Sequence, residues 1–149
     1  MSAADVQVRL LCPNDLETVA ALEEACFADP WSAQSLRLLC TEDGFGVVVT
    51  EGEHLLAYGG MTVVLDEGSI TNIATYPEHR RLGYGRRVVG ALLDEAKRRG
   101  VHAVFLEVRE SNDPARRLYE ALGFCACGMR KNFYRYPSEN AVLMSWTDA

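Results

Sequence analysis

The stretch "RRLGYGRRVV", beginning at Arg80, sets two glycines among arginines just ahead of a hydrophobic run. A helix N-terminus leaves N–H groups unpaired and carries partial positive charge, so a turn of this kind suits an anion such as a phosphate. Gly83 and Gly85 would let backbone amides reach an oxygen without a Cβ in the way, and Arg80, Arg81 and Arg86 add charge. The alternative is a plain loop with a solvated basic face. Proton-transfer chemistry is on offer further along. Glu107 closes the run "VFLE", where an acidic side chain after Val-Phe-Leu is expected to face a crevice between strand ends. Tyr119, on the helix opened by "NDP", carries a phenol of ordinary pKa ~10 that stays protonated at neutral pH.

Other chemistries fit less well. A Walker loop needs Gly-Lys-Ser/Thr, and Gly85 is followed by arginine. A dinucleotide fingerprint finds Gly83-x-Gly85 and an acidic residue, Glu107, at roughly the expected ~20 residues downstream. Its third glycine position, however, is Val88, and "YPEHRRL" separates the turn from the preceding strand. The five cysteines are scattered, and Cys125-Ala-Cys127 lacks the usual two-residue gap and a nearby histidine, so no metal site is expected. No cysteine has a recognisable base beside it, which argues against a covalent route and for burial in the core. His79 is a weaker candidate base, because it lies just ahead of the basic turn.

The elements that must position these residues follow from periodicity. Val6 to Leu11 alternates as a first strand; "PNDLETVAALEEACF" reads as a helix with Asn14 as cap and Leu16, Val19, Ala20 and Leu22 inward; Ser32 caps a short helix through Leu39. "GFGVVVTEG" and "HLLAYGGMTVVL" form a hairpin at Gly52, and "SITNIAT" continues the meander to Pro77. From Tyr84, the residues Val88, Val89, Leu92, Leu93 and Ala96 share one helical face, and Gly100 ends the helix. "VHAVFLEV" is a buried strand. "NDPARRLYEALGF" is a helix with Asp113 as cap, Pro114 in its first turn and Gly123 at its end, and "NAVLMSW" is a final strand. The fold class is α/β with a mixed sheet: antiparallel early, parallel across the long helix.

At 149 residues the chain suits one domain, 1–149, with a core that needs no staples. A net charge of −6 argues against a general nucleic-acid binder and suits a basic partner. No apolar run approaches the ~20 residues of a membrane span, and no secretory signal is visible. With an odd, scattered set of cysteines, a reduced cytoplasmic protein is expected.

"NIATYPEHRRLGYGRRVVGALLDEA" resembles the acetyl-CoA motif of the GNAT superfamily of N-acetyltransferases: strand, proline, then Arg-x-x-Gly-x-Gly opening a helix. "LEVRESNDPARRLYEALGF", with "DPWS" and "RKNFY", is similar to the RimI-type ribosomal-protein alanine N-acetyltransferases, so the likeness covers most of the chain. It implies a mixed, mainly antiparallel sheet with flanking helices and a splayed strand pair holding acetyl-CoA. Ile73, Ala74 and Thr75 would be backbone partners of the acetyl-pantetheine arm. Arg81, Leu82, Gly83, Tyr84, Gly85 and Arg86 would hold the diphosphate, and Asn112 would contact the cofactor. Glu107 would be the base and Tyr119, beside the sulfur, the acid; no metal is implied. The implied acceptor is the basic, alanine-initiated N-terminus of ribosomal small-subunit protein 18, with Phe133, Tyr134 and Tyr136 along the peptide groove. The chain departs from the family at Asn140, commonly aspartate there. A small-amine acetyltransferase or a silent CoA-binding module remain alternatives; keeping both Glu107 and Tyr119 speaks against the latter.

Overall fold

The computed structural model describes residues 5–80 and 82–148. Seven strands form one sheet in the order β1-β2-β3-β4-β5-β7-β6. They are β1 (Val6–Leu10), β2 (Gly44–Glu51), β3 (His54–Val64), β4 (Glu67–Thr75), β5 (Ala103–Arg109), β6 (Cys125–Tyr134) and β7 (Glu139–Thr147). Every adjacent pair is antiparallel except β4 and β5, which are joined by a helical crossover. The helices are α1 (Leu16–Cys26), α2 (Ala33–Leu36, prolonged by a 3-10 turn at Arg37–Cys40), α3 (Tyr84–Arg98) and α4 (Asp113–Ala121). Among the described residues no helix is long and apolar enough to cross a membrane.

At β2 the sheet is buried on both faces, which is why this strand reads as a continuous apolar run. Val47 and Val49 pack with Val88, Val89, Leu92, Leu93 and Ala96 of α3. Val48, between them, faces the opposite way and packs with Val19 and Leu22 of α1 and Leu36 of α2. The inward face assigned to α3 is thus the one it buries, and Gly59 lets it sit close: a Cβ there would come within 2.5 Å of Val88 Cγ1.

Three expectations need correction. The N-terminal turn before α1 is closed not by Asn14 but by Cys12 and Asp15: the Cys12 amide donates to Asp15 Oδ2 at 2.9 Å, and Asp15 also holds Arg9 at 2.8 Å. Helix α4 is capped by Asn112, whose Oδ1 accepts from the Ala115 amide at 3.2 Å; Asp113 is its first residue. Cysteines 12, 40, 125 and 127 are exposed and only Cys26 is partly buried. Two of the four belong to β6, which is solvent-exposed along nearly its whole length. Ser32 does cap α2, accepting from the Ser35 amide at 3.1 Å.

Candidate active site

Strands β4 and β5 pair for only three residues, Glu67 with Ala103, Gly68 with Val104 and Ser69 with Phe105, and then diverge. The cause lies on the other side of β4. Its register with β3 runs from Met61–Ile70 to Gly59–Ile73, so Thr71 and Asn72 together oppose Gly60 in a β-bulge. An extra residue bends a strand and sharpens its twist, here carrying β4 away from β5. The wedge between them holds a cleft of about 820 Å³ whose walls include Asn72, Ile73, Glu107, Asn112 and Tyr119. A second pocket of about 480 Å³ is lined by Thr75, His79, Gly83, Tyr84 and Arg86. The two share Gly85, Ala115 and Leu118 as common wall.

The glycine turn has the geometry of an anion cradle. Gly83 is left-handed, at φ 82° and ψ 10°, and stands as N-cap of the fifteen-residue α3 with no side chain capping the first-turn amides. Among the described residues a Cβ at Gly83 would meet nothing within 4 Å, and one at Gly85 only Leu118 at 3.9 Å. The space before the helix end is open, which fits a ligand-sized anion approaching the backbone. His79 lines this smaller pocket but not the cleft of Glu107.

Not every expected contact lies on a cavity wall. Ala74 is 3% exposed and packs into the α1 side of the core. Leu82 is exposed and lines neither pocket, and Arg81 lies outside the described residues. The Thr75 carbonyl accepts from Arg80 Nε at 3.2 Å and from Cys26 Sγ at 3.3 Å. Asn112 both borders the cleft and caps α4.

At the far end of the cleft Tyr119 is buried, its ring edge-on to Phe124 at 5.7 Å. Burial, and next the charge of Tyr134, push its phenol up to about 12. Tyr134 is pushed up to about 12 as well, by burial and then by the negative charge of Glu107, with Arg109 opposing. Arg109 in turn fastens the β6–β7 connection over the cleft. It donates to the carbonyls of Pro137 at 3.0 Å and Arg135 at 2.9 Å, and its guanidinium lies 4.4 Å from the centroid of the Tyr134 ring. Phe133, Tyr134 and Tyr136 all border the cleft. Asn140 accepts from the Asn132 amide at 2.9 Å, steadying a residue at φ 53°.

Sequence reading missed a buried carboxylate behind the bulge. Glu23 of α1 is 0% exposed and takes hydrogen bonds from the Trp31 amide, from Asn72 Nδ2 and from the Tyr58 hydroxyl. The signal was weak, because an adjacent Glu23-Glu24 pair on a surface helix reads as solvated.

A sequence profile described as the acetyltransferase (GNAT) family matches residues 16–124. The [ribosomal protein bS18]-alanine N-acetyltransferase of Haemophilus influenzae is 37% identical over 134 residues, covering 88% of this chain and 91% of that protein. The protein of the same name from Escherichia coli K12 is 36% identical over 134 residues, covering 89% and 90%. The crystal structure of the Escherichia coli ribosomal-protein-S18-alanine N-acetyltransferase superposes with a TM-score of 0.89 at 34% identity, covering 96% of this chain and 94% of that one.

Proposed function

Because the chain belongs to the acetyltransferase (GNAT) family, we propose that it moves an acetyl group from acetyl-CoA to the free N-terminal amine of a protein, with residues 1–149 acting as one N-acetyltransferase domain. The acceptor is the N-terminal alanine of ribosomal protein bS18, the substrate named for its relatives. A net charge of −6 suits a basic tail, and a ribosomal-protein acceptor makes the cytoplasm its compartment. The observation that carries this reading is that the pocket at the glycine turn and the cleft holding Glu107 and Tyr119, in the wedge between β4 and β5, lie side by side and share Gly85, Ala115 and Leu118.

The residues present fit the cofactor. The uncapped amides of α3, the Cβ-free turn at Gly83 and Gly85, and the charge of Arg86 suit a diphosphate. Arg81, Leu82 and Tyr84 are proposed as further diphosphate contacts on the strength of the sequence motif alone. The edge of β4 freed by the splay gives Ile73, Ala74 and Thr75 backbone groups for an amide-bearing arm, and Asn112 adds a polar contact. When bound, acetyl-CoA supplies an acetyl group activated as a thioester.

The protein's own tasks are two. Glu107 accepts a proton from the incoming α-ammonium; an α-amine with pKa ~8 needs only a modest base. Tyr119 offers its O–H to the departing sulfur. The residue borders the cleft. Held at about 12, it is a better donor of a hydrogen bond than of a free proton. Full transfer to a thiolate of ordinary pKa ~8.5 would run uphill by roughly 5 kcal/mol. The phenol therefore acts mainly by a bond that strengthens as charge gathers on sulfur, with proton transfer completed as the amine nitrogen sheds its own proton.

An acceptor screen tests the reading. Acetyl-CoA is supplied with a basic alanine-initiated peptide, a serine-initiated peptide, a polyamine and an aminoglycoside. Preference for the alanine peptide is expected; preference for a small amine overturns the acceptor assignment.

A further inference from the structure

Glu23 lies behind the cleft wall rather than in it, yet it controls one group that lines the cleft. Its Oε1 accepts from the Trp31 amide at 2.9 Å, and its Oε2 accepts from Asn72 Nδ2 at 2.9 Å and from the Tyr58 hydroxyl. Two of these donors cannot reverse their role. A backbone N–H only donates, and Asn72 presents its amino group to Glu23 because a carboxylate offers acceptors alone. The Tyr58 phenol, fully buried, is driven well above its ordinary pKa by burial and by the Glu23 charge, so it too remains a donor. With Nδ2 turned inward, the planar carboxamide must direct Oδ1 elsewhere. Asn72 borders the cleft, and its oxygen is not among the buried atoms left without a partner, which are Thr71 Oγ1 and Arg116 Nε among the described residues. Thr71 is its neighbour on the bulge and borders the same cleft.

We infer that Glu23 is a positioning residue for the acceptor: it fixes the Asn72 carboxamide with its oxygen toward the cleft, where it receives an N–H of the acceptor's first residue. The inference rests on the proposed amine-acetylating function. Through the Trp31 amide the same carboxylate holds the segment that follows α1, so Phe27, Asp29 and Trp31 border the acceptor end in register with Asn72.

The arrangement makes Glu23→Gln an unusually specific perturbation. Glutamine brings an NH₂ where only acceptors were. Facing Trp31, that NH₂ would oppose a fixed N–H. Facing Asn72 and Tyr58 it can be satisfied, because the Tyr58 hydroxyl rotates and the Asn72 amide flips. The flip turns Nδ2 toward the cleft and sets a donor against the acceptor's own N–H. The acceptor KM is expected to rise roughly tenfold, the scale of one lost hydrogen bond with an unpaired donor left behind, while acetyl-CoA affinity is unchanged. Asn72→Ala removes the oxygen outright and should raise KM similarly; it reads the same contact should Glu23→Gln fail to fold. Adding Glu23→Gln to Asn72→Ala should raise KM no further, because the first acts through the second. An unchanged KM in Asn72→Ala, or effects that multiply in the double variant, overturns the inference. The wild-type protein is assayed first with the alanine peptide. If it acetylates a small amine instead, the acceptor reading fails, and the same three variants are compared on that amine, where the same two outcomes decide the role of Glu23.

Discussion

Tyr119→Phe separates the chemistry of the phenol from its packing. The ring that meets Phe124 at 5.7 Å is kept, and only the hydroxyl of a residue bordering the cleft is lost. Thermal stability near neutral pH should therefore change little. Turnover should fall by ~10²–10³, as for a lost hydrogen-bond donor to the charge that develops in the transition state, with acetyl-CoA and peptide affinities nearly preserved. Alkaline stability supplies an independent reading. The native phenol titrates at about 12 against an ordinary value of 10.0, so the fold favours its protonated form. That preference contributes fully below pH ~10 and is lost as pH rises from there through about 12. A separation of two pH units at ~1.36 kcal/mol each is about 3 kcal/mol. By pH ~11.5, short of the native pKa, wild type should have lost about 2 kcal/mol of this beyond what the Phe variant loses. Turnover is followed by thiol release, and stability by urea titration at pH 8, 10 and 11.5. Full activity in the variant would refute the donor role, and parallel loss of stability in both proteins would refute the buried, protonated phenol.

The remaining predictions concern the other groups of the site and one of the fold. Glu107→Gln should cut turnover strongly with little change in acetyl-CoA affinity, and the deficit should shrink as pH rises past the amine's pKa of ~8, where the neutral amine needs no base; a pH–rate profile identical to wild type removes Glu107. Gly83→Val fills open space before α3 and strains a residue at φ 82°, so calorimetry should show acetyl-CoA binding weakened severely, whereas Arg86→Ala should weaken it mildly and in a salt-dependent way. Asp15, held below its ordinary range first by its hydrogen bond to Arg9, stabilises the fold above pH ~4, and that contribution fades as pH falls below it. Asp15→Asn should accordingly lower the melting temperature at pH 7, and by progressively less as pH falls below ~4.

How much was legible in the sequence depended on whether a feature is local. The stripe of Val88, Val89, Leu92, Leu93 and Ala96 and the Gly83 turn are written in consecutive residues, and the structure has both. Helix caps were harder, because several neighbouring side chains could do the work: Asn14 or Asp15, Asn112 or Asp113. The deciding feature is which oxygen meets an amide in space. Strand β6 was hidden because its exposed run "CACGMRKNFY" has no apolar alternation. The splay of β4 from β5 came only through family resemblance, since the bulge at Thr71 and Asn72 depends on pairing with Gly60, eleven residues earlier. Glu23 was invisible because its partners, Trp31, Tyr58 and Asn72, come together only in the folded chain.

The central claim is transfer of an acetyl group to a protein's α-amine, and locating the acetyl group tests it most directly. A peptide carrying a free N-terminal alanine, a basic tail and an internal lysine is incubated with acetyl-CoA and the wild-type protein, beside an N-blocked copy, and the products are fragmented in a mass spectrometer. The account predicts a single acetyl group on the alanine nitrogen and no product from the blocked copy. Acetylation of lysine in the blocked peptide would contradict it.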